Sequence, residues 1–337
     1  MGFKRFEPED FVVSADSVQS ILWSTNTPVL SEFYTSSIQA AGSSGNYYLN
    51  VYQTGSTLSN ADIQFNIAYA DVLGSGSEYY NNAIPNRTPS STIYGQYRTM
   101  VLEDENASFS FGDGTNIISG SHFWVISMER ARYKEKLFPG TFNLVLSGSS
   151  GTISLTDNSN DVSIQSFLGS GRVYQIVSGS NGSAYSGSGF SATKGSYGLF
   201  LPDIATLLLN PQALNETIGL NVDRTANLSN GTNQAALYDA IAGGGYFQLN
   251  SEETITSDYI FVRARNSEFN YSENPSFIGG STGEVIYTNF INNPQTYITT
   301  VGLYNDANEL LAVAKLSRPL LKDFTKESLI RVKLDFW

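Results

Sequence analysis

The sequence predicts a mainly β protein made of antiparallel, sandwich-like β-domains with a few short helices. Only 15% of the 337 residues are charged while 13% are aromatic, and this composition is typical of sheets connected by many turns. Short segments in which apolar and polar residues alternate recur along the chain, which is the pattern of half-buried strands. Gly, Ser, Thr and Asn are abundant between these segments and supply turn residues.

In the first half of the chain, the alternation predicts strands and a single helix. Residues 90–102 break the two-residue period, because Ile93, Tyr97, Met100 and Val101 have the spacing of one face of an amphipathic helix. The segments predicted as strands, or for the first of them as an extended arm, are residues 11–23, 47–53, 62–70, 123–133 and 141–147.

A shift in composition marks residues 148–200, which are rich in Gly and Ser. Short apolar runs at residues 152–155, 162–167 and 172–177 interrupt this background. A flexible linker has no need of such runs. We therefore predict a β-insertion with loose loops, lying at the periphery and mobile on its own.

The last part of the chain is predicted to contain two helices and several strands. Residues 202–209 and 232–242 are predicted as short helices, and three consecutive glycines end the second. The predicted strands are residues 246–249, 259–265, 296–304, 310–316 and 328–337. The predicted organisation is an N-terminal arm (1–22), a β-domain with one helix (23–147), the insertion (148–200) and a C-terminal β-domain with two helices (201–337).

The C-terminal strands contain the candidate functional residues. Residues 296–304 and 310–316 form a hairpin pattern around Asn and Asp turn residues, and the final strand has one apolar and one polar-leaning face. Apolar edge strands aggregate unless something covers them. We therefore predict interface roles for the exposed or terminal apolar residues of this region: Tyr297, Leu303, Tyr304, Leu334, Phe336 and Trp337.

Composition argues against several partners and cofactors. The formal net charge is −12, which disfavours nucleic acid because phosphate binding needs clustered Lys and Arg. The chain has no cysteine and one histidine, His122, so thiolate and two-histidine metal sites are excluded. We expect no cofactor. No segment has the roughly 20 apolar residues of a membrane span, and we expect no signal peptide.

Catalysis is also disfavoured, although carboxylate pairs exist. A polysaccharide-degrading enzyme needs two acids at a defined separation, and Glu103–Asp104–Glu105 and Glu252–Glu253 are the candidates. Both groups flank turn residues, where solvated charge is the ordinary situation. The chain lacks the G-x-S-x-G pattern of a serine hydrolase elbow between a strand and a helix. A carbohydrate-binding module remains an alternative, because 20 tyrosines and three tryptophans offer stacking surfaces.

Four segments resemble virion structural proteins of large contractile-tailed bacteriophages, including cyanophages. The segments are VGLYNDANELLAVAKLSRPLLKDF, LIRVKLDFW, ARNSEFNYSENPSF and FWVISMERARYKEKLFPGTFNLVLS. The resemblance implies a non-enzymatic tail or baseplate component, similar to a baseplate wedge subunit, made in the host cytoplasm and located in the virion. Its partners would be other tail subunits and further copies of itself. The alternative is a receptor-binding or fibre-attachment protein that contacts host surface glycan.

Overall fold

The structure is a computed structural model that describes residues 4–35, 48–78, 80–81, 83–84, 86–112, 118–225, 231–272, 275–279 and 282–336. It is 44% strand and 16% helix, with antiparallel sheets that include a curled half-barrel, so the predicted fold class is confirmed. Its 23 strands in the described residues are, in chain order, β1 (Phe11–Ile21), β2 (Val29–Leu30), β3 (Tyr34–Thr35), β4 (Tyr48–Tyr52), β5 (Ile63–Asp71), β6 (Phe109–Phe111), β7 (Ile118–Gly120), β8 (His122–Met128), β9 (Lys136–Leu137), β10 (Asn143–Gly148), β11 (Gly151–Asp157), β12 (Ser166–Leu168), β13 (Gly171–Ser180), β14 (Ser183–Ala184), β15 (Gly198–Leu201), β16 (Thr206–Leu209), β17 (Tyr246–Gln248), β18 (Asn250–Ala264), β19 (Ile278–Gly279), β20 (Glu284–Val285), β21 (Thr296–Tyr304), β22 (Leu310–Lys322) and β23 (Ser328–Phe336).

The α-helices of the described residues begin and end where local chemistry dictates. They are α1 (Pro89–Leu102), α2 (Pro211–Ile218), α3 (Thr232–Gly244) and α4 (Thr288–Asn292). In α1 the Thr88 hydroxyl accepts from the Ser91 amide, and Pro89 occupies the first helical position, where its missing N–H costs nothing. Gly245 ends α3 in the left-handed conformation. The predictions of α1 and α3 are confirmed.

The chain folds into two compact units. One, the terminal unit, contains residues 1–17 and 254–337, and the other, the central unit, contains residues 18–253. This division differs from the four segments predicted from composition. It separates the chain within β1 and β18 rather than at the Gly/Ser-rich boundaries, because residues 148–200 pair with strands on both sides of them in the central unit.

The main sheet of the central unit runs in the order β2-β17-β10-β11-β13-β15-β16-β8-β5-β4-β3. Two apolar clusters bury its opposite faces. On β8, Trp124 and Ile126 pack in one cluster while Phe123 and Val125 pack in the other. The Trp124 indole also donates to the carbonyl of Asn233 on α3 at 2.7 Å. A strand buried on both faces reads as a continuous apolar run, and this is the sequence of β8.

The helix predicted for residues 202–209 is wrong. The segment begins with a single 3-10 turn, Pro202–Ile204, and continues as strand β16. Leu207 and Leu209 face one apolar cluster and Leu208 the other. A short continuous apolar run is compatible with a buried helix or with a strand covered on both faces, and the two flanking strands β15 and β8 decide the outcome here.

The Gly/Ser-rich segment contributes central strands of the main sheet. β11 pairs with β10 and β13, and β13 pairs with β15. Ile153, Leu155 and Ile176 from this segment are buried. Its Gly residues lie in turns and at close approaches: a Cβ on Gly198, for instance, would lie 2.0 Å from the Leu208 backbone oxygen. The strands predicted at residues 152–155 and 172–177 are present as β11 and β13 in the middle of the sheet, so the segment is not the peripheral insertion that we predicted. Of the third apolar run, residues 162–167, only the end lies in a strand, the short β12, which pairs with β13.

Candidate assembly surface

The terminal unit is organised around one small apolar core. Residues of β18 pair with β23 from Thr256↔Phe336 to Ala264↔Ser328, and β1 lies on the other side of β18. β21 and β22 form a separate two-stranded sheet. The inward residues of both sheets make one cluster, whose buried members are Ile260, Val301, Leu303, Ile330 and Val332. The predicted apolar face of the last strand is therefore confirmed for Ile330 and Val332.

A fully buried lysine connects the end of the hairpin to the preceding loop. The Lys322 ammonium donates to the carbonyl oxygens of Asn266 at 3.0 Å and Asp323 at 2.9 Å, and to Asn270 Oδ1 at 2.8 Å. Next to it, the Thr296 hydroxyl donates to the Phe269 carbonyl at 2.7 Å. Three acceptors satisfy all three ammonium hydrogens, which a buried Lys requires. This arrangement fixes the base of the hairpin.

The other end of the hairpin carries an exposed apolar patch, the hairpin patch, consisting of Tyr304, Leu310, Leu311 and Val313. The side chains are 44%, 52%, 68% and 57% exposed. Gly302 shapes the patch, since a Cβ there would lie 2.8 Å from Tyr304 Cε2. The tyrosine ring thus lies close to the backbone of its own strand, and Tyr304 remains 44% exposed.

Strand β1 is exposed along its whole length. None of its 11 residues is buried, and three consecutive apolar residues, Phe11, Val12 and Val13, are about half exposed or more. Its outer edge has no backbone partner among the described strands. Unpaired, apolar edge strands are templates for pairing with another chain. The hairpin patch and β1 together form the candidate assembly surface.

The predicted interface residues have different environments. Tyr297 and Tyr304 are exposed, as an interface role requires. Leu303 is buried in the core of its own unit and Leu334 packs against that core. Phe336 pairs in register with Thr256, and Trp337 lies outside the described residues. Their interface roles stay predictions.

Sequence reasoning missed the most exposed members of this surface. Leu311 and Val313 alternate with Ala312 and Ala314, and it is the alanines that contact the core. The sequence feature that could have identified these exposed residues is the difference in side-chain size between alternating positions of β22. Small residues face the neighbouring sheet where the two layers approach closely, and large residues face outward. On β1, the uninterrupted run Phe11–Val12–Val13 predicted a strand but not its exposure.

The candidate catalytic carboxylates are engaged in structure or solvated. Glu103 ends α1 with a positive φ of 56° and is exposed, as are Asp104 and Glu105. Glu252 is buried and accepts from Arg172 Nη2 at 2.8 Å. Arg172 also binds Asp203 through Nε and Nη2.

This cluster of ion pairs lowers the pKa of Asp203. Burial alone would raise the pKa of Asp203, but hydrogen bonds from the side chain and backbone of Arg172 outweigh burial and lower that pKa. Glu252 has a second cationic neighbour, since Lys136 Nζ lies 3.9 Å from its Oε1. Carboxylates paired in this way have a structural role. Their ion pairs with Arg172 join β13 and β18 to the turn after β15.

His122 is part of a buried polar network. Its Nδ1 lies 3.0 Å from Ser121 Oγ, and in register it faces Asp71, whose buried carboxylate binds Arg224 Nε at 2.7 Å. Burial and, to a lesser extent, the charge of Arg224 lower the pKa of His122 to about 4, although the Asp71 carboxylate opposes this shift. The imidazole is therefore neutral at pH 7. Asp71 also accepts from the amides of Leu73 and Ser75, which orders the turn after β5.

Two further features concern ligands and membranes. Within the described ranges, no group of three or more His, Asp or Glu side chains is arranged to hold a metal ion. Among the helices in the described part of the chain, none is long and apolar enough to cross a bilayer. The buried carboxylate of Asp157 accepts hydrogen bonds from the amides of Gly140 and Ser159, and burial raises its pKa.

The chain was compared with protein-family models, with curated proteins and with solved structures, and none of the three comparisons found a match.

Proposed function

We propose that this chain is a structural subunit of a contractile bacteriophage tail, similar to a baseplate wedge protein, and that it acts through subunit interfaces in virion assembly. The observation that carries the proposal is the assembly surface of the terminal unit. β1 exposes apolar residues along an unpaired edge, and the hairpin patch exposes four more. Exposed apolar residues that follow one another along a strand are typical of a protein–protein contact.

The resemblance of the hairpin and final strand to virion proteins supports the same proposal, because both segments lie in the terminal unit. Residues 301–324 contain the hairpin patch and Lys322, and residues 329–337 contain β23 apart from its first residue. The carboxylates that would serve a glycan hydrolase are solvated or held in ion pairs. A subunit that works by contact needs a surface of this type, with roughly 1,600 Å² buried in a standard interface.

The test is complementation of a phage that lacks the gene, using surface variants that keep the core. Val13→Asp and Leu311→Asp place a charge on the assembly surface, and Ile164→Asp is the matched control at an 81% exposed site in the central unit. We expect the first two variants to reduce the number of complete tails in electron micrographs at least tenfold, while the control assembles normally.

Normal tails from both surface variants would overturn the assembly role. Complete tails that fail to adsorb to host cells would instead support the receptor-binding alternative. Circular dichroism of each purified variant verifies that the fold is retained.

A further inference from the structure

We propose that one face of the main sheet in the central unit binds a neutral glycan. The residues of this face, here called the amide-tyrosine face, belong to β3, β4, β5 and β8, which are neighbours at one end of the sheet. They are Tyr34, Tyr48, Asn50, Tyr52, Asn66 and Ser127. Glycan binding would be a second role, separate from the assembly role of the terminal unit.

The alternation of β4 places three of these side chains together. Leu49 and Val51 are buried in the larger apolar cluster of the central unit. Because successive side chains of a strand point to opposite faces, Tyr48, Asn50 and Tyr52 point away from that cluster. Asn50 therefore lies between two tyrosines on the same face.

Direct pairing with the neighbouring strands extends the face. Asn50 lies opposite Asn66 on β5, and Asn66 lies opposite Ser127 on β8. On the other side of β4, Tyr34 of β3 lies opposite Tyr52. Opposite residues of antiparallel strands share a face, with their Cβ atoms about 5 Å apart. The two amides and the serine hydroxyl thus form one continuous polar row beside the tyrosines.

The row becomes more accessible from β8 towards β3. At the β8 end, the hydroxyl of Tyr97 on α1 interacts with the hydroxyls of Ser127 and Thr206. Asn66 is partly buried. At the other end, Tyr48 is 45% and Tyr34 is 39% exposed. A ligand that reaches the polar row would therefore lie against the tyrosine rings.

The chemistry of the face matches that of a saccharide. Amide and hydroxyl groups both donate and accept hydrogen bonds, as sugar hydroxyls do, and tyrosine combines a flat apolar ring with a polar tip. Asn66 Oδ1 is buried and accepts no hydrogen bond within the part of the chain that the structure describes. Rotation of this amide about its last bond exchanges oxygen and nitrogen, so that a sugar hydroxyl can supply the missing donor.

Charge and composition select a neutral glycan over other ligands. None of the six side chains is charged, and the Tyr34 hydroxyl donates to Glu32 Oε2 at 3.2 Å. This carboxylate and the net charge of −12 would repel an acidic saccharide or a nucleic acid. The face contains no Met, Arg or aliphatic side chain, whereas the cores of protein interfaces are enriched in Met and Arg and depleted in Ser.

Affinity gel electrophoresis of the full chain tests the proposal. Dextran, mixed-linkage β-glucan, xylan and galactomannan are the neutral probes, and alginate is the acidic one. We expect at least one neutral polysaccharide to retard the protein and alginate to leave its migration unchanged. Unchanged migration in all four neutral gels, or retardation by alginate alone, would overturn the proposal.

Asn66→Leu separates binding from folding. Leucine has a similar volume and removes the buried oxygen that accepts no hydrogen bond from the described residues, so the urea midpoint should stay the same or increase. The Kd for the retarding polysaccharide should nevertheless increase about tenfold. Tyr48→Ala should also increase this Kd about tenfold, because it removes a ring. Tyr185→Ala, at a 65% exposed site elsewhere in the central unit, is the matched control and should change the Kd less than about twofold.

The remaining outcomes locate the ligand and distinguish this proposal from the assembly role. Unchanged binding by Asn66→Leu and Tyr48→Ala, or an equal loss in Tyr185→Ala, would show that the glycan does not bind the amide-tyrosine face. Exclusion of folded Tyr48→Ala from tails would identify this face as a protein interface and would also overturn the proposal. None of these results decides the assembly role, which Val13→Asp and Leu311→Asp test in the terminal unit.

Discussion

Replacing Lys322 by Met should loosen the base of the hairpin. The methionine keeps an apolar stem of similar length but removes the ammonium donor from the Asn270 amide oxygen. The Asn266 carbonyl still accepts from Asn270 Nδ2, and the Asp323 carbonyl still accepts from the Lys326 amide. An unsatisfied buried acceptor costs about 1 to 3 kcal/mol. The two carbonyls lie at partly buried sites and each loses one of two hydrogen bonds, while Met avoids the desolvation cost of an ammonium. We expect a loss of roughly 2 kcal/mol in the local free energy of opening.

Hydrogen exchange followed by mass spectrometry measures this local stability. A loss of about 2 kcal/mol corresponds to exchange about 30-fold faster. The effect should concentrate in peptides that cover residues 266–272 and 296–304, which Lys322 and Thr296 hold together. Peptides of the central sheet provide the internal reference.

Lys315→Met is the matched control, since Lys315 lies on the same strand and is exposed. Its exchange should change by less than about twofold, because exposed substitutions usually alter stability by less than 0.5 kcal/mol. If both variants exchange alike, the ammonium does not stabilise the loop, and its hydrogen bonds do not hold the base of the hairpin in place.

Three other predictions concern single side chains. The pKa of His122 is about 4 in the folded protein, against 6.5 for an unperturbed histidine. The contribution of His122 to the free energy of unfolding is therefore fully present above pH 6.5 and falls by about 3 kcal/mol as the pH decreases to 4. Urea unfolding monitored by Trp124 fluorescence should show this pH-dependent loss in the natural protein and not in His122→Gln. Gly198→Ala places a Cβ 2.0 Å from a backbone oxygen of the neighbouring strand and should cost about 3 kcal/mol in the same assay, where an unchanged midpoint would contradict the packing described. Leu303→Ala should destabilise the terminal unit by about 3 kcal/mol, whereas Leu311→Ala should destabilise it by less than about 0.5 kcal/mol. Hydrogen exchange should distinguish the two variants, and equal effects would contradict the burial of Leu303 and the exposure of Leu311.

The sequence predicted elements wherever local chemistry determines them. Alternation located β4 and β5, and the helical spacing of apolar residues within 90–102 located α1. It failed for residues 202–209, where Leu207 to Leu209 are buried on both faces and carry no period. Helix α2, which follows, was missed although Asn210 and Pro211 form a recognisable start, with the Asn210 side chain accepting from the Gln212 amide.

The candidate surface was only partly predictable, because local pattern does not determine how many neighbours a strand has. β8 and the start of β1 are both apolar runs. β8 lies between β16 and β5 and is almost entirely buried, whereas β1 lies beside β18 alone and buries nothing. Burial follows from the position of a strand in its sheet, which depends on contacts between residues far apart in sequence. An apolar strand at the edge of a sheet therefore has the composition of an interior strand but lacks a second neighbouring strand. This is the physical reason to expect the missing neighbouring strand in another chain.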